Sequence, residues 1–174
     1  TQVAVDDLYR PYRPKRRTRA TIAKEKGLEP LANLILLQKM TVSPLEEAEN
    51  YINPEKEVST AEDALNGAKD ILAESVSDNA DFRTHIRELT MKHGQLLSAA
   101  KDPEAESVYE MYYEFSESLS KLAGHRILAI SRGEKEKFLT VKIEAPTDRI
   151  LSYLDRKIIT NPQAFTAPVL HEAL

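Results

Sequence analysis

Ser59-Thr60-Ala61-Glu62-Asp63-Ala64-Leu65-Asn66-Gly67-Ala68-Lys69-Asp70-Ile71-Leu72-Ala73-Glu74-Ser75-Val76 is the stretch that decides the fold class. Ala61, Ala64, Leu65, Ala68, Ile71, Leu72 and Val76 recur at the helical period over roughly four turns. Ser59 with Glu62 supplies a capping box at its start. Asp78-Asn79 punctuates the pattern, and Phe82, Ile86 and Leu89 mark a second helix that ends before Gly94. A connection this short predicts an antiparallel helical hairpin.

Toward the N-terminus, Ser43 and Glu46 form another capping box for a helix running to about Tyr51, which Asn53-Pro54 ends. Glu29-Pro30 opens a helix whose buried stripe is expected to be Leu31, Leu34, Ile35 and Leu37. Before it, Thr18 caps a short helix through Lys26, and Gly27 closes that helix. Tyr9 to Pro14 repeats Tyr-Arg-Pro and reads as polyproline-II-like, because each proline pushes the preceding arginine toward an extended conformation. Residues 1–8 resemble the tail of a helix.

Toward the C-terminus the pattern is less regular. Gln95 to Ala100 fits strand or loop. Asp102-Pro103-Glu104 is expected to restart a helix with Val108, Met111, Tyr112 and Phe115 on one face. Gly124 to Arg132 reads as a helix closed by Gly133, and Phe138 to Ile143 alternates like a strand. Thr147 caps a helix bearing Ile150, Leu151, Leu154 and Ile158, and Asn161-Pro162 begins a last segment. The expected fold is therefore mainly α, a multi-helical bundle with helical hairpins and at most one or two short strands. It divides into a basic extended lead-in with a short helix, 1–26, and a helical body, 27–174, expected to form one structural unit.

Composition narrows the function classes. The 174 residues include no cysteine, so disulfides and cysteine-ligated zinc are excluded. The longest apolar run, Leu34 to Leu37, is too short to span a bilayer. Together these suit a cytoplasmic protein. His85 and His93 lie eight apart, twice the spacing of a helical two-histidine metal motif. There is no phosphate-binding glycine loop, nucleophile elbow or calcium loop. No enzymatic activity, cofactor, metal or small-molecule substrate is expected.

Charge, by contrast, is unevenly spread. Residues 1–26 hold eight Lys/Arg against three Asp/Glu, a balance of +5, and residues 27–174 hold sixteen against twenty-five, a balance of -9. Arg10, Arg13, Lys15, Arg16, Arg17 and Arg19 are the candidate nucleic-acid contacts. Three readings of this strip are open. Its cations contact phosphates, with Tyr9 and Tyr12 available to stack on bases. Alternatively Pro11-x-x-Pro14 is a proline-rich ligand, or the arginines bridge helices of the acidic body. The cluster Arg126, Arg132, Lys135 and Lys137 is diluted by Glu134 and Glu136 and reads as a solvated helix end. The helices at 19–26 and 29–38 have a helix-turn-helix outline, but an apolar second helix cannot serve for recognition.

Leu8-Tyr9-Arg10-Pro11-Tyr12-Arg13-Pro14-Lys15-Arg16-Arg17-Thr18-Arg19-Ala20, then Ile22-Ala23 and Gly27-Leu28-Glu29-Pro30-Leu31-Ala32, resembles the Tex family of bacterial transcription accessory proteins. His125-Arg126-Ile127-Leu128-Ala129-Ile130 and Arg132-Gly133-Glu134 look like a second motif of that family, in the same order. Asn53, Ala61, Ala64, Leu65, Gly67, Ala68 and Ile71 fit its pattern between them. The resemblance covers nearly the whole chain. It implies a larger cytoplasmic protein with a helical N-terminal part, an RNase H-like domain, helix-hairpin-helix elements and an RNA-binding OB-fold. Related architecture occurs in a eukaryotic elongation factor that also chaperones histones. On this resemblance the chain is a helical scaffold segment of a larger protein that associates with RNA or DNA in transcription, with nucleic acid contacted mainly through other domains. A protein–protein module docking on RNA polymerase or another acidic surface is the alternative.

Overall fold

The computed structural model describes residues 2–14 and 16–174. Its longest element is the helix anticipated above, Ala61–Asp78, capped one residue later than expected. The Thr60 hydroxyl accepts from the Asp63 N–H at 3.1 Å, and the Asp63 carboxylate accepts from the Thr60 N–H at 3.1 Å. Thr60 and Asp63 thus form the reciprocal box assigned to Ser59 and Glu62; Asp, shorter than Glu, makes the same reach. In chain order the helices are α1 (Gln2–Tyr9), α2 (Arg19–Glu25), α3 (Glu29–Leu37), α4 (Pro44–Ala48), α5 (Ala61–Asp78), α6 (Ala80–His93), α7 (Gly124–Lys135), α8 (Thr147–Ile158) and α9 (Ala167–Ala173). The strands are β1 (Gln95–Ala100), β2 (Glu114–Ser118) and β3 (Leu139–Glu144). The fold is mainly α, and among the described residues no helix is long and apolar enough to cross a membrane.

Two compact units make up the chain. The first runs to Thr84 and resumes at Leu151–Leu174; the second is His85–Ile150. Both divisions fall inside helices, α6 and α8, and the basic lead-in lies in the same unit as α5.

In the first unit, α5 packs against α2, α3, α4 and α9. Ala64, Ala68, Ile71 and Leu72 are its buried stripe, and the small residues let α2 and the α2–α3 turn come close. Gly67 faces Leu28 and Ala23 so closely that a Cβ there would overlap the Leu28 side chain. Gly27 makes that turn at φ 83°, the left-handed region glycine enters without steric cost. Helix α3 buries Leu31, Ala32 and Ile35, with Leu28 just before it, whereas Leu34 and Leu37 are exposed. The stripe is centred on Leu28, Leu31 and Ile35, at i, i+3 and i+7, so Leu34 and Leu37 fall on the far side. Gln38 ends α3 in the left-handed region at φ 55°. Its Nε2 donates to the Ile158 carbonyl at 2.6 Å, and its Oε1 accepts from the Thr160 N–H at 2.9 Å.

The second unit holds an antiparallel sheet of order β2-β1-β3. Three strands replace the one or two expected, and the difference lies in residues 102–118. These form turns, a 3-10 turn at Glu110–Tyr112 and then β2, instead of a helix. Residues 114–118 pair along β1, which supplies backbone partners that sequence periodicity cannot see. Ser98 fixes the junction by donating to the Tyr112 carbonyl at 2.7 Å. Val108 and Met111, expected on a buried face, are exposed. The core is Leu96, Tyr109, Tyr112, Ile130 and Leu139, with Phe115 packed against it. Helix α7 packs on β3 and continues through Gly133 instead of stopping before it. A Cβ on Gly133 would lie 2.5 Å from Leu139 Cδ1 and 3.1 Å from Tyr109 Cγ, so this glycine serves close packing, not termination.

Candidate nucleic-acid interface

The lead-in departs from a simple extended arm. Arg10–Tyr12 form a 3-10 turn that continues α1, with Pro11 where a first helical turn tolerates it. Extended backbone begins at Arg13, which precedes Pro14 and sits at φ -70°, ψ 134°. Thr18 caps α2 as anticipated, its hydroxyl accepting from the Thr21 N–H at 3.1 Å.

From there the strip is fixed in register on α5. Arg19 makes a bidentate pair with Asp70, Nε at 3.1 Å and Nη2 at 2.5 Å. The Thr18 hydroxyl donates to Glu74 Oε1 at 3.0 Å, and Arg10 Nε lies 3.4 Å from Asp78 Oδ1. Asp70, Glu74 and Asp78 are spaced by four and share one face of α5. As strip numbers rise from 10 to 19, their partners fall from 78 to 70, so the strip runs antiparallel to α5. This carboxylate ladder is the part of the site that reading the cations alone misses. Its signal was present in the sequence as three acids on the helical period.

The remaining cations are held differently. Arg13 reaches Asp6 at 4.0 Å and Arg17 reaches Glu25 at 2.7 Å, both pairs well exposed. Arg16 is exposed, and among the described residues it has no ion-pair partner. Lys15 lies outside the described residues. Even the Arg19–Asp70 pair sits at the surface, with side-chain exposures of 82% and 25%. Exposed pairs of this kind contribute about 0–1 kcal/mol each, so the strip is positioned by several weak contacts. Beside it, a groove of about 620 Å³ is lined by Pro11, Arg13, Lys24, Leu36, Ile71 and Glu74, among others. Its rim mixes both signs of charge and so does not focus a positive field.

In the second unit, Arg126 pairs with Glu117 at 2.8 Å and lies 5.8 Å over the Phe115 ring, while Arg132, Lys135 and Lys137 are exposed. Tyr109 and Tyr112 are core residues, not stacking platforms. Among the described residues no group of three or more His, Asp or Glu side chains is placed to hold a metal ion.

A helical segment with a basic strip latched to an acidic helix, followed by a small α/β unit, is the class of protein defined so far. Residues 39–163 match a family described as Tex central region-like, and the chain belongs to the Tex family. It is 49% identical over 173 residues to the protein YdcI of Bacillus subtilis, covering 98% of this chain and 24% of that one. With the transcriptional accessory protein Tex of Neisseria gonorrhoeae it shares 33% identity over 150 residues, 84% of this chain and 19% of the relative. The human S1 RNA-binding domain-containing protein 1 is 32% identical over 169 residues, 90% of this chain and 16% of its own length. The chain thus spans about a quarter or less of the length of these relatives.

Proposed function

We propose that this chain is a helical scaffold segment of a transcription accessory protein that works on nucleic acid in the cytoplasm. In this reading its bundled helices hold further domains in register. The strip is latched to α5 at its two ends and presents Arg13, Arg16 and Arg17 to phosphate. One observation carries the division of labour: Arg10 and Arg19 engage the α5 ladder, whereas the arginines between them point their charge elsewhere. The names of relatives, one a transcriptional accessory protein and one containing an S1 RNA-binding domain, support a nucleic-acid setting. The segment binds and positions; no group in it is assigned a catalytic step.

Two sets of substitutions separate the roles. Arg13→Ala/Arg16→Ala/Arg17→Ala should weaken binding of an RNA or DNA oligonucleotide and flatten its log–log salt slope by roughly 2 to 3, with little change in melting temperature. Arg10→Ala/Arg19→Ala should instead lower stability, by up to about 2 kcal/mol for the two exposed pairs together, and with it the melting temperature, with the salt slope kept. If the triple variant binds like the parent at every salt concentration, the phosphate role is lost and the strip is a clamp alone.

A further inference from the structure

The sheet of the second unit ends in two edge strands, β2 and β3, and the two differ in charge. On the β3 side, the Lys101 N–H donates to the Phe138 carbonyl at 2.9 Å, which fixes the backbone phase of the ladder. Such bonds recur at every second residue of an antiparallel pair. Thr140, Lys142 and Glu144 therefore turn their backbone groups toward β1, and Val141 and Ile143 turn theirs outward. Among the described residues nothing pairs with those outward N–H and C=O groups. Thr140, Lys142, Ile143 and Glu144 are exposed, Ile143 at 56%. Val141 packs against the core of the unit, and Ile143 stands on the same face, in the row of Leu96 and Glu117. Lys142 and Glu144 share the opposite face. An open edge is a template for another strand unless charge opposes the pairing. β2 carries Glu114 and Glu117 and no cation, so two copies of it repel. β3 instead carries a lysine and a glutamate two residues apart.

We propose that β3 pairs antiparallel with β3 of a second copy across a two-fold axis at Ile143, joining the two sheets in the order β2-β1-β3-β3-β1-β2. Ile143 then exchanges both backbone hydrogen bonds with its counterpart, and Val141 lies opposite Ala145 of the second copy. Lys142 falls directly opposite Glu144 of the second copy, and symmetry repeats that ion pair. Both pairs occupy non-hydrogen-bonded positions, where opposed side chains come closest. The two Ile143 side chains meet on the α7 face and cover each other's apolar surface. Moving the axis to Lys142 would set two lysines face to face, so charge selects the register together with the occupant. An extended segment of another protein could use the same backbone groups, but the self-complementary charges single out a second copy. No residue of the basic strip takes part, so this inference and the phosphate reading can fail separately.

Sedimentation equilibrium of the intact chain tests the contact. The mass should rise toward that of a dimer between about 10 µM and 1 mM, the range of a small interface well under about 1,200 Å². Lys142→Glu and Glu144→Lys each set like charges across the axis and should weaken the dimer at least about tenfold. Lys142→Glu/Glu144→Lys exchanges the charges and should restore the dimer to within about threefold, which also shows that the changes leave the fold intact. Cross-linking reads the register. The chain has no cysteine, so a Lys142→Cys chain mixed with a Glu144→Cys chain should form a disulfide-linked dimer on mild oxidation. Either variant alone should not, since the two copies of its altered position lie about 8 Å apart, beyond the roughly 7 Å that a disulfide spans. The proposal is overturned if the parent stays monomeric up to about 1 mM, or if the single charge changes leave dimerisation unaltered. It is overturned equally if the double change fails to restore the dimer, or if Lys142→Cys alone cross-links as fast as the mixture. Species that keep growing beyond the dimer would mean that β3 meets β2 of the next copy in an open-ended array, with the same result.

Discussion

Gln38 illustrates how much one side chain can join. Held at φ 55°, it directs its amide to the end of α8, donating to the Ile158 carbonyl and accepting from the Thr160 and Asn161 N–H groups. Gln38→Ala would leave these backbone groups without that partner, while alanine gains nothing in the left-handed region. We expect a loss of about 1–3 kcal/mol, read as a lower urea midpoint with an unchanged slope. A midpoint equal to the parent's would show that water replaces the amide. No sequence signal marks this residue, because its partners lie more than a hundred positions away. Thr18 is the contrast: its cap is made within three residues, so it was legible in advance.

At the scale of elements, small residues set the distances between them. Gly133 brings α7 onto β3, and Gly67 brings α5 onto the α2–α3 turn. Gly133→Ala raises helix propensity by about 1 kcal/mol but forces a methyl group against Leu139 and Tyr109, both core residues. Overpacking of this kind typically costs about 1–3 kcal/mol, so the variant should melt a few degrees lower. An equal or higher melting temperature would mean that α7 moves away from β3 without penalty. Read as sequence, Gly133 looked like a stop signal. A glycine needed for contact and one needed for a turn leave the same letter, and only the neighbours tell them apart.

Across the molecule, contacts distant in sequence close the first unit. Lys69 on α5 donates to Glu172 on α9 at 2.8 Å, and this bond holds the Glu172 carboxyl below the usual glutamate range. A depressed folded-state pKa contributes stability above the unfolded value and loses it as pH falls through the folded value. Glu172→Gln should therefore be less stable than the parent at neutral pH, and the gap should close as pH falls below the ordinary glutamate range. A gap that persists unchanged in acid would point to packing of the α9 end instead. The same scale governs the basic strip. Its local charge left phosphate contact, a proline-rich ligand and a bridge to the acidic body all open, and the fold sets Asp70, Glu74 and Asp78 beside it and engages part of that charge.

The sequence by itself determined the helices of the first unit from α2 to α5, since the α5 stripe, the caps at Ser43 and Thr18 and the turn at Gly27 all act within a few residues, but not the helix expected from Asp102 onward. It also carried the family, through long contiguous motifs. The alternation at 138–143 marked β3, whereas tertiary structure decided β1, β2, the pairing of the sheet and the destination of the charges. Residues 95–100 become a strand only because 114–118 and 139–144 lie on either side of them to share backbone hydrogen bonds. Arg10 and Arg19 become anchors only because α5 places carboxylates within reach. Strand pairing and ion pairing both depend on the partner's position, and local periodicity does not encode that position.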